Sequence, residues 1–234
     1  MLIASGPDIW VAEGPTVNAA AGFRYPTRMA VIRLASKDLV VWSPTAASPA
    51  LRAEIEALGM VRYLVPPNSL HHTFLGDWQR AYPNAEVFEP PGLRNIRNDI
   101  RFDVTFGDEP VEGWDGEIDH VIVRGNRITS EVVFFHRASR TTLFTDLIQQ
   151  FPSGWFSGWR ALVAHLDLMV AAEPSVPRKF RVAFTDRHAA RHSLQRVLAW
   201  PTEQVIMAHG PMITHDGQAL LRRAFQWLIK QPKS

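Results

Sequence analysis

The hydrophobic period changes in the middle of this 234-residue chain, and the change limits the folds open to it. Ile100–Phe106 alternates apolar and polar residues as a half-buried strand does. Ile118–Arg124 (IDHVIVR), Glu131–His136 (EVVFFH) and Thr141–Phe144 (TTLF) follow with turn signals between them. Segments this short and this close together read as antiparallel strands. Before them, Asp8–Ala12, Arg28–Leu34 and Leu39–Trp42 read as strands, and then strand and helix alternate. A helix is predicted from Pro49 to Gly59, a strand at Val61–Val65, a helix over Leu70–Tyr82 capped by Asn68 or Ser69, and a strand at Ala85–Pro90. Downstream come apolar-rich helices at Trp155–Val170 and Arg187–Trp200, a buried strand at Gln204–Ala208 and an amphipathic helix at Asp216–Ile229. This order fits an α/β (α+β) protein with two mixed sheets flanked by helices. With no long linker, a single domain over residues 1–234 is expected.

Composition bounds the chemistry. The chain is 46% hydrophobic and 21% charged, so a large core is available. The formal net charge is only +2, and a small excess of Lys and Arg produces the pI of 9.2. Arg is spread along the chain rather than clustered, so no nucleic-acid partner is expected. No apolar run reaches the length of a membrane span, so no membrane partner is expected either. The start, MLIASGPDIWVAEG, lacks the basic opening of a secretion signal, which makes a cytoplasmic location the expectation. There is no cysteine, which removes disulfides and thiolate sites; any metal must be held by His, Asp or Glu.

Three stretches place such residues at strand ends, where α/β folds put their ligand sites. In LVPPNSLHHTFLGDW, Leu64 to Trp78, a strand stops at Pro66-Pro67 and His71 and His72 open the next helix. The positive end of a helix dipole disfavours a protonated imidazole, and a neutral imidazole is the metal-binding form. The same pair also reads as two polar residues at a helix start, and the local pattern leaves both readings open. LFTDL ends an apolar strand at Asp146, and MAHG ends another at His209. Separately, Asp146 is a turn residue and His209 a satisfied histidine; together with the His pair they form a mixed nitrogen and oxygen donor set suited to Zn, Fe or Mn. His188 and His192 share a helix face but are flanked by Arg187 and Arg191, and read as a solvated face. His165 and Asp167 read as satisfied groups, and Phe74, Trp78 and Tyr82 as a core stripe. The tryptophans of FPSGWFSGWRAL are expected to pack against the sheet.

The succession of a strand leading to His-His, a strand ending in Asp and a strand ending in His-Gly resembles the metallo-β-lactamase superfamily. The phrase PPNSLHHTFLGDWQRAYPNAEVFEPPGL, and RMAVIRL before LVVWSP, are similar to an uncharacterised branch of it known as a domain of unknown function. The resemblance implies an αββα four-layer sandwich that binds one or two metals at strand ends. Laid on the family's H-x-H-x-D-H turn, His72 falls on the last His, His71 on the Asp, and Pro67 and Ser69 on the first two His. No Gly-His occurs between Asp99 and Asp146. The corresponding RGNRITSE (124–131) offers no ligand, and His120 and His136 lie at other strand positions. The first metal site therefore lacks its ligands. His72, Asp146 and His209 remain of the second, with His71 in place of an acidic ligand.

The resemblance thus implies a metal-dependent hydrolase-like protein with a reduced, mononuclear site. His71, His72, Asp146 and His209 would surround one divalent ion, Zn first and Fe or Mn next. The substrate is an unnamed small molecule, and no catalytic residue is assigned. The alternative is a non-catalytic descendant of the fold, without metal, that binds a ligand or partner in the cleft. A redox role for bound iron comes third, because the full two-site ligand set is absent.

Overall fold

Among the described residues, 1–114 and 116–229 of a computed structural model, eleven strands form two sheets. The first sheet runs in chain order: β1 (Ile3–Gly6), β2 (Ile9–Asn18), β3 (Arg24–Arg33), β4 (Asp38–Trp42), β5 (Met60–Val65), β6 (Glu86–Glu89) and β7 (Val104–Thr105). It is antiparallel as far as β4 and parallel from β4 to β7. The second sheet holds β8 (Ile118–Val123), β9 (Glu131–His136), β10 (Thr141–Phe144) and β11 (Gln204–Met207) in the order β11-β10-β9-β8. Only its β10–β11 pair is parallel. The helices are α1 (Pro49–Glu56), α2 (Leu75–Ala81), α3 (Trp159–Leu166), α4 (Arg178–Ala183), α5 (Arg187–Leu198) and α6 (Gly217–Phe225).

Period-two alternation sorts the strand residues into layers. Val40 and Trp42 of β4, Tyr63 and Val65 of β5, and Ile118 and Ile122 of β8 meet in one core between the sheets. Leu39, Val41 and Leu64 face the other way, as does Val61 because the β4–β5 register shifts by one residue between it and Tyr63, into a second core with Leu51 and Ile55 of α1 and Leu75 and Trp78 of α2. Val121 and Val123 of β8 face a third core with Leu194 and Val197 of α5 and Leu221 and Phe225 of α6. Three cores between four layers make the αββα sandwich that the sequence implies. Each fully buried Leu, Val or Phe in these layers contributes about 1.5–3 kcal/mol relative to exposure.

Several elements differ from their expected bounds, each for a local reason. The β2–β3 hairpin runs to Asn18 and Arg24, because a register shift between Gly14 and Val17 absorbs Pro15. Ile100–Phe106 shrinks to β7, since Ile100 and Phe102 are spent on the α1/α2 core. Helix α2 starts at Leu75 rather than Leu70, because the Asn68 carboxamide claims the first amides of that turn. Gly158 at φ 57° and Leu168 at φ 64° bound α3, which confines the Trp155–Val170 helix to Trp159–Leu166. Helix α4 is an addition to the sequence reading.

Two parallel pairs fix where a site forms. The C-terminal ends of β4 and β5 in one sheet and of β10 and β11 in the other come together at one edge of the sandwich.

Candidate metal centre

Ser43 follows β4, the His71 turn follows β5, Asp146 follows β10 and His209 follows β11. Each is a residue where the chain leaves a strand, and their side chains converge. His71 Nε2 lies 3.1 Å from His209 Nε2 and 3.3 Å from Asp146 Oδ2. His209 Nε2 lies 3.5 Å from Asp146 Oδ1. Asp146 and His209 are buried and His71 nearly so.

The far sides of both rings are anchored. His209 Nδ1 donates to the Pro26 carbonyl (2.9 Å), and His71 Nδ1 shares a hydrogen bond with Ser43 Oγ (3.0 Å). Occupied Nδ1 atoms leave both Nε2 atoms free to face Asp146, the arrangement in which histidines ligate metals. The His209 ring is also wedged edge-on to Tyr25 at 5.0 Å and stacked with Phe151 at 6.2 Å. Arg28, buried on β3, donates to the carbonyls of Met207 and Gly210 (2.6 Å for the latter) and so clamps the turn that carries His209.

Asn68 ties the two halves of the site together. Its Oδ1 accepts from the amides of Leu70 (2.8 Å) and His71 (3.0 Å), closing the turn. Its Nδ2 donates to Thr145 Oγ1 (2.9 Å) and Asp146 Oδ2 (2.8 Å). Behind Asp146, the Glu131 carboxylate accepts from the amides of Thr145 (2.8 Å), Asp146 (2.8 Å) and Leu147 (3.0 Å). Antiparallel pairing sets the start of β9 beside the end of β10, so Glu131 falls directly under this turn.

Burial alone would raise the Asp146 carboxyl, but the facing imidazoles of His71 and His209 outweigh it and hold the group well below the usual carboxylate range. Burial lowers His209 despite the neighbouring Asp146, so its ring is neutral at neutral pH. Burial, with the Asp146 charge second, pushes Glu131 up to about 7 against its three amide donors. The site therefore presents one carboxylate and neutral imidazole nitrogen to a cavity of about 400 Å³. Its walls are largely apolar, with Val17, Ala20, Leu70, Phe74 and Phe180 among them. Lys179 reaches in with its ammonium 2.9 Å from the Tyr25 hydroxyl and 3.6 Å from Asp167.

The structure brings three of the four sequence-predicted residues together and leaves the fourth outside the cluster. His72, expected as the principal ligand of the pair, accepts a hydrogen bond from Arg97 at Nδ1 (3.0 Å), and Arg97 also holds the His72 carbonyl (2.7 Å). The Asx turn at Asn68 brings His71 to Asp146 and His209, while His72, expected as a ligand beside it, lines the cavity with its ring held by Arg97 instead. Ser69 bonds Thr129 (3.1 Å), and the Pro67 carbonyl accepts from Val132 (2.8 Å), so neither position faces the cluster as a ligand. His120 donates to the Gly107 carbonyl within an aromatic group, and His136 is buried against Ser139. His188 and His192 are exposed on α5, and Trp78 is buried in the stripe with Phe74 and Tyr82. Trp155 and Trp159 depart from the expected packing: Phe151 and Phe156 fill that cluster and both indoles stay exposed.

Sequence reading passed over Ser43, Glu131 and Arg28, and took Asn68 as a cap without its link to Asp146. Asn68 carries a turn signal in PPNS, and a lone acid heading the apolar EVVFFH is a signal for Glu131. Nothing local marks Ser43 or Arg28.

The family described as "Domain of unknown function (DUF4336)" matches residues 9–157. No curated protein matches. Among solved structures, a metallo-β-lactamase from Pontibacter korlensis is similar over 99% of each chain at 14% identity, with a TM-score of 0.65. The metallo-β-lactamase FIM-1 from Pseudomonas aeruginosa, in its mono-zinc form, matches 98% of this chain and 96% of its own at 11% identity and a TM-score of 0.62. The metal-soaked Flv1 flavodiiron core from Synechocystis sp. PCC6803 matches 97% of this chain and 60% of its own at 13% identity and a TM-score of 0.66.

Proposed function

Since the chain belongs to the family described as a domain of unknown function, DUF4336, and has the metallo-β-lactamase fold, we propose that His71, Asp146 and His209 hold one divalent ion and that the protein is a metal-dependent hydrolase with a mononuclear site. One observation carries this reading. The Nε2 atoms of His71 and His209 stand 3.1 Å apart and each faces the Asp146 carboxylate, His71 at 3.3 Å from Oδ2 and His209 at 3.5 Å from Oδ1. Tetrahedral ligation at about 2.0–2.2 Å sets donors roughly 3.3–3.6 Å apart, and an octahedral face at the same bond length sets them roughly 2.8–3.1 Å apart. The observed contacts are of the size that either geometry requires, and a His₂Asp donor set suits zinc, with iron or manganese as alternatives. Three protein ligands leave a position open toward the cavity, as catalytic sites require and closed structural sites do not. When bound, such an ion supplies Lewis-acid polarisation and makes a water acidic enough to attack a small-molecule substrate. The chain's own part is to fix the donors: Ser43 and the Pro26 carbonyl orient the rings, and Asn68 and Glu131 orient Asp146.

The rival reading is a descendant of the fold that binds a ligand or partner without chemistry. It draws on the His71–His209 contact, which at 3.1 Å also satisfies the two rings as a simple hydrogen bond. Replacing an acidic ligand by His71 also removes a negative charge that would attract a cation. Elemental analysis after loading with Zn, Fe or Mn decides between them. One equivalent bound to the wild type and none to Asp146→Ala is expected; no stoichiometric metal in either protein leaves only the rival.

A further inference from the structure

Helix α3 turns its apolar face outward. Trp159, Leu162, Val163 and Leu166 fall at i, i+3, i+4 and i+7, one face of a helix, and are 54, 62, 41 and 53% exposed. Trp155 just ahead of the helix is exposed as well. Of the twelve large apolar side chains exposed among the described residues, these are five, and two more, Leu70 and Ile128, line the cavity over the metal centre. The two groups are joined. Arg160 of α3 donates to the Ala21 carbonyl (2.8 Å), and the Trp155 indole donates to the Arg24 carbonyl (2.9 Å). Both anchor the β2–β3 turn, whose exposed Ala19 and Ala20 also line the cavity. An uncovered apolar band thus runs from α3 to the mouth of the site.

Charge identifies what covers it. From Phe151 to Leu166 there is no Asp or Glu, whereas Arg160 and His165 lie on the helix and Arg178 caps its C-terminus through the Leu166 carbonyl (2.9 Å). The nearest acid, Asp167, is engaged by the Lys179 amide (2.6 Å) and ammonium. A second copy packed about a two-fold axis would set Arg160 and Arg178 against their own equivalents with no carboxylate between them. An anionic lipid surface supplies the missing negative charge, and indoles and leucines beside arginines suit the boundary between headgroups and acyl chains.

We propose that α3 and the preceding Trp155 segment dock the protein on an anionic lipid surface, with the mouth of the cavity beside that surface. No described helix is long and apolar enough to cross a membrane, so this is attachment at the surface and not a span. It revises the expectation from sequence of no membrane partner, which rested on spans alone. It does not depend on the proposed metal.

The test is sedimentation of the whole protein with vesicles of phosphatidylcholine alone and of an equal mixture with phosphatidylglycerol, read beside the tryptophan emission. Binding to the anionic vesicles with a blue shift is expected, weaker at high salt, and at least about tenfold weaker for the Leu162→Glu/Leu166→Glu double variant, which withdraws two apolar side chains from the interface. Both positions are exposed, so the variant's unchanged thermal midpoint certifies its fold. Wild-type protein that stays in the supernatant with both vesicles overturns the proposal. So does vesicle binding that the double variant leaves unchanged, or a wild-type dimer in light scattering that the double variant dissociates.

Discussion

Ser43 leaves β4 at φ 49°, in the left-handed region that costs a non-glycine residue about 1–2 kcal/mol. That conformation sets Ser43 Oγ against His71 Nδ1, so the strain is spent on orienting a ring of the site. His72, one residue along, is oriented by Arg97 instead. The two histidines should therefore separate cleanly in titrations with zinc followed by calorimetry. His71→Ala, like His209→Ala, is expected to weaken binding by more than the roughly 10–100-fold typical of losing a supporting hydrogen bond, and His72→Ala to leave it within about threefold. Asp146 and His209 are legible in the sequence as chemical residues because each ends an apolar run. The choice between His71 and His72 is not, since it depends on which way the Asn68 turn winds. His136 carries a different prediction. Burial, with no partner for Nε2, lowers it to about 4 from the ordinary 6.5. Below pH 6.5 the unfolded chain takes up a proton that the folded one refuses, so stability falls as pH drops and levels off below about 4. The loss is on the order of 3 kcal/mol. Glu131, raised to about 7, acts in the opposite sense, so the comparison is between wild type and His136→Gln, where it cancels. Denaturant midpoints measured across pH 4 to 7 should show wild type losing ground to the variant toward acid; parallel curves would refute the assignment.

At the scale of elements, the junction of β9 with β10 decides how rigid the site is. Glu131 sits at the first position of β9 and receives three successive amides beyond β10, a closed network with no water needed. Glu131→Gln keeps the volume but turns one acceptor into a donor facing amides. It is expected to cost about 1–3 kcal/mol in urea unfolding and to weaken zinc binding about 10–100-fold, because Asp146 rides on the loosened turn. Unchanged zinc affinity with reduced stability would make Glu131 a prop for the fold alone. Strands β8, β9 and β10 are legible in the sequence nearly to the residue, since each is a short apolar run between turn residues. Helices α2, α3 and α4 are not. Side-chain hydrogen bonding at Asn68 resets the start of α2, and positive-φ residues at 158 and 168 reset the ends of α3; neither effect has a periodic signature.

For the whole molecule, the two sheets matter because each supplies part of the site. Ser43 and His71 come from one sheet, and Asp146 and His209 from the other, so an ion held between them is a cross-link between the halves of the sandwich. The strand order made this architecture legible from sequence; the meeting of two parallel pairs at one edge is a property of the assembled sheets. An ion that binds only when both sheets are in place binds the folded chain and not the unfolded one. Zinc at about 100 times its Kd then adds about 2.7 kcal/mol of stability. For a chain of this length, each kcal/mol moves the Tm by roughly 2–4 °C, so a rise of roughly 5–10 °C is expected in calorimetry, reversed by a chelator. Asp146→Asn, which keeps the shape and removes the carboxylate, is expected to show no such rise. A rise of equal size in that variant would put the ion elsewhere on the chain. No rise in either protein would mean that the two sheets close over His71, Asp146 and His209 by hydrogen bonds alone.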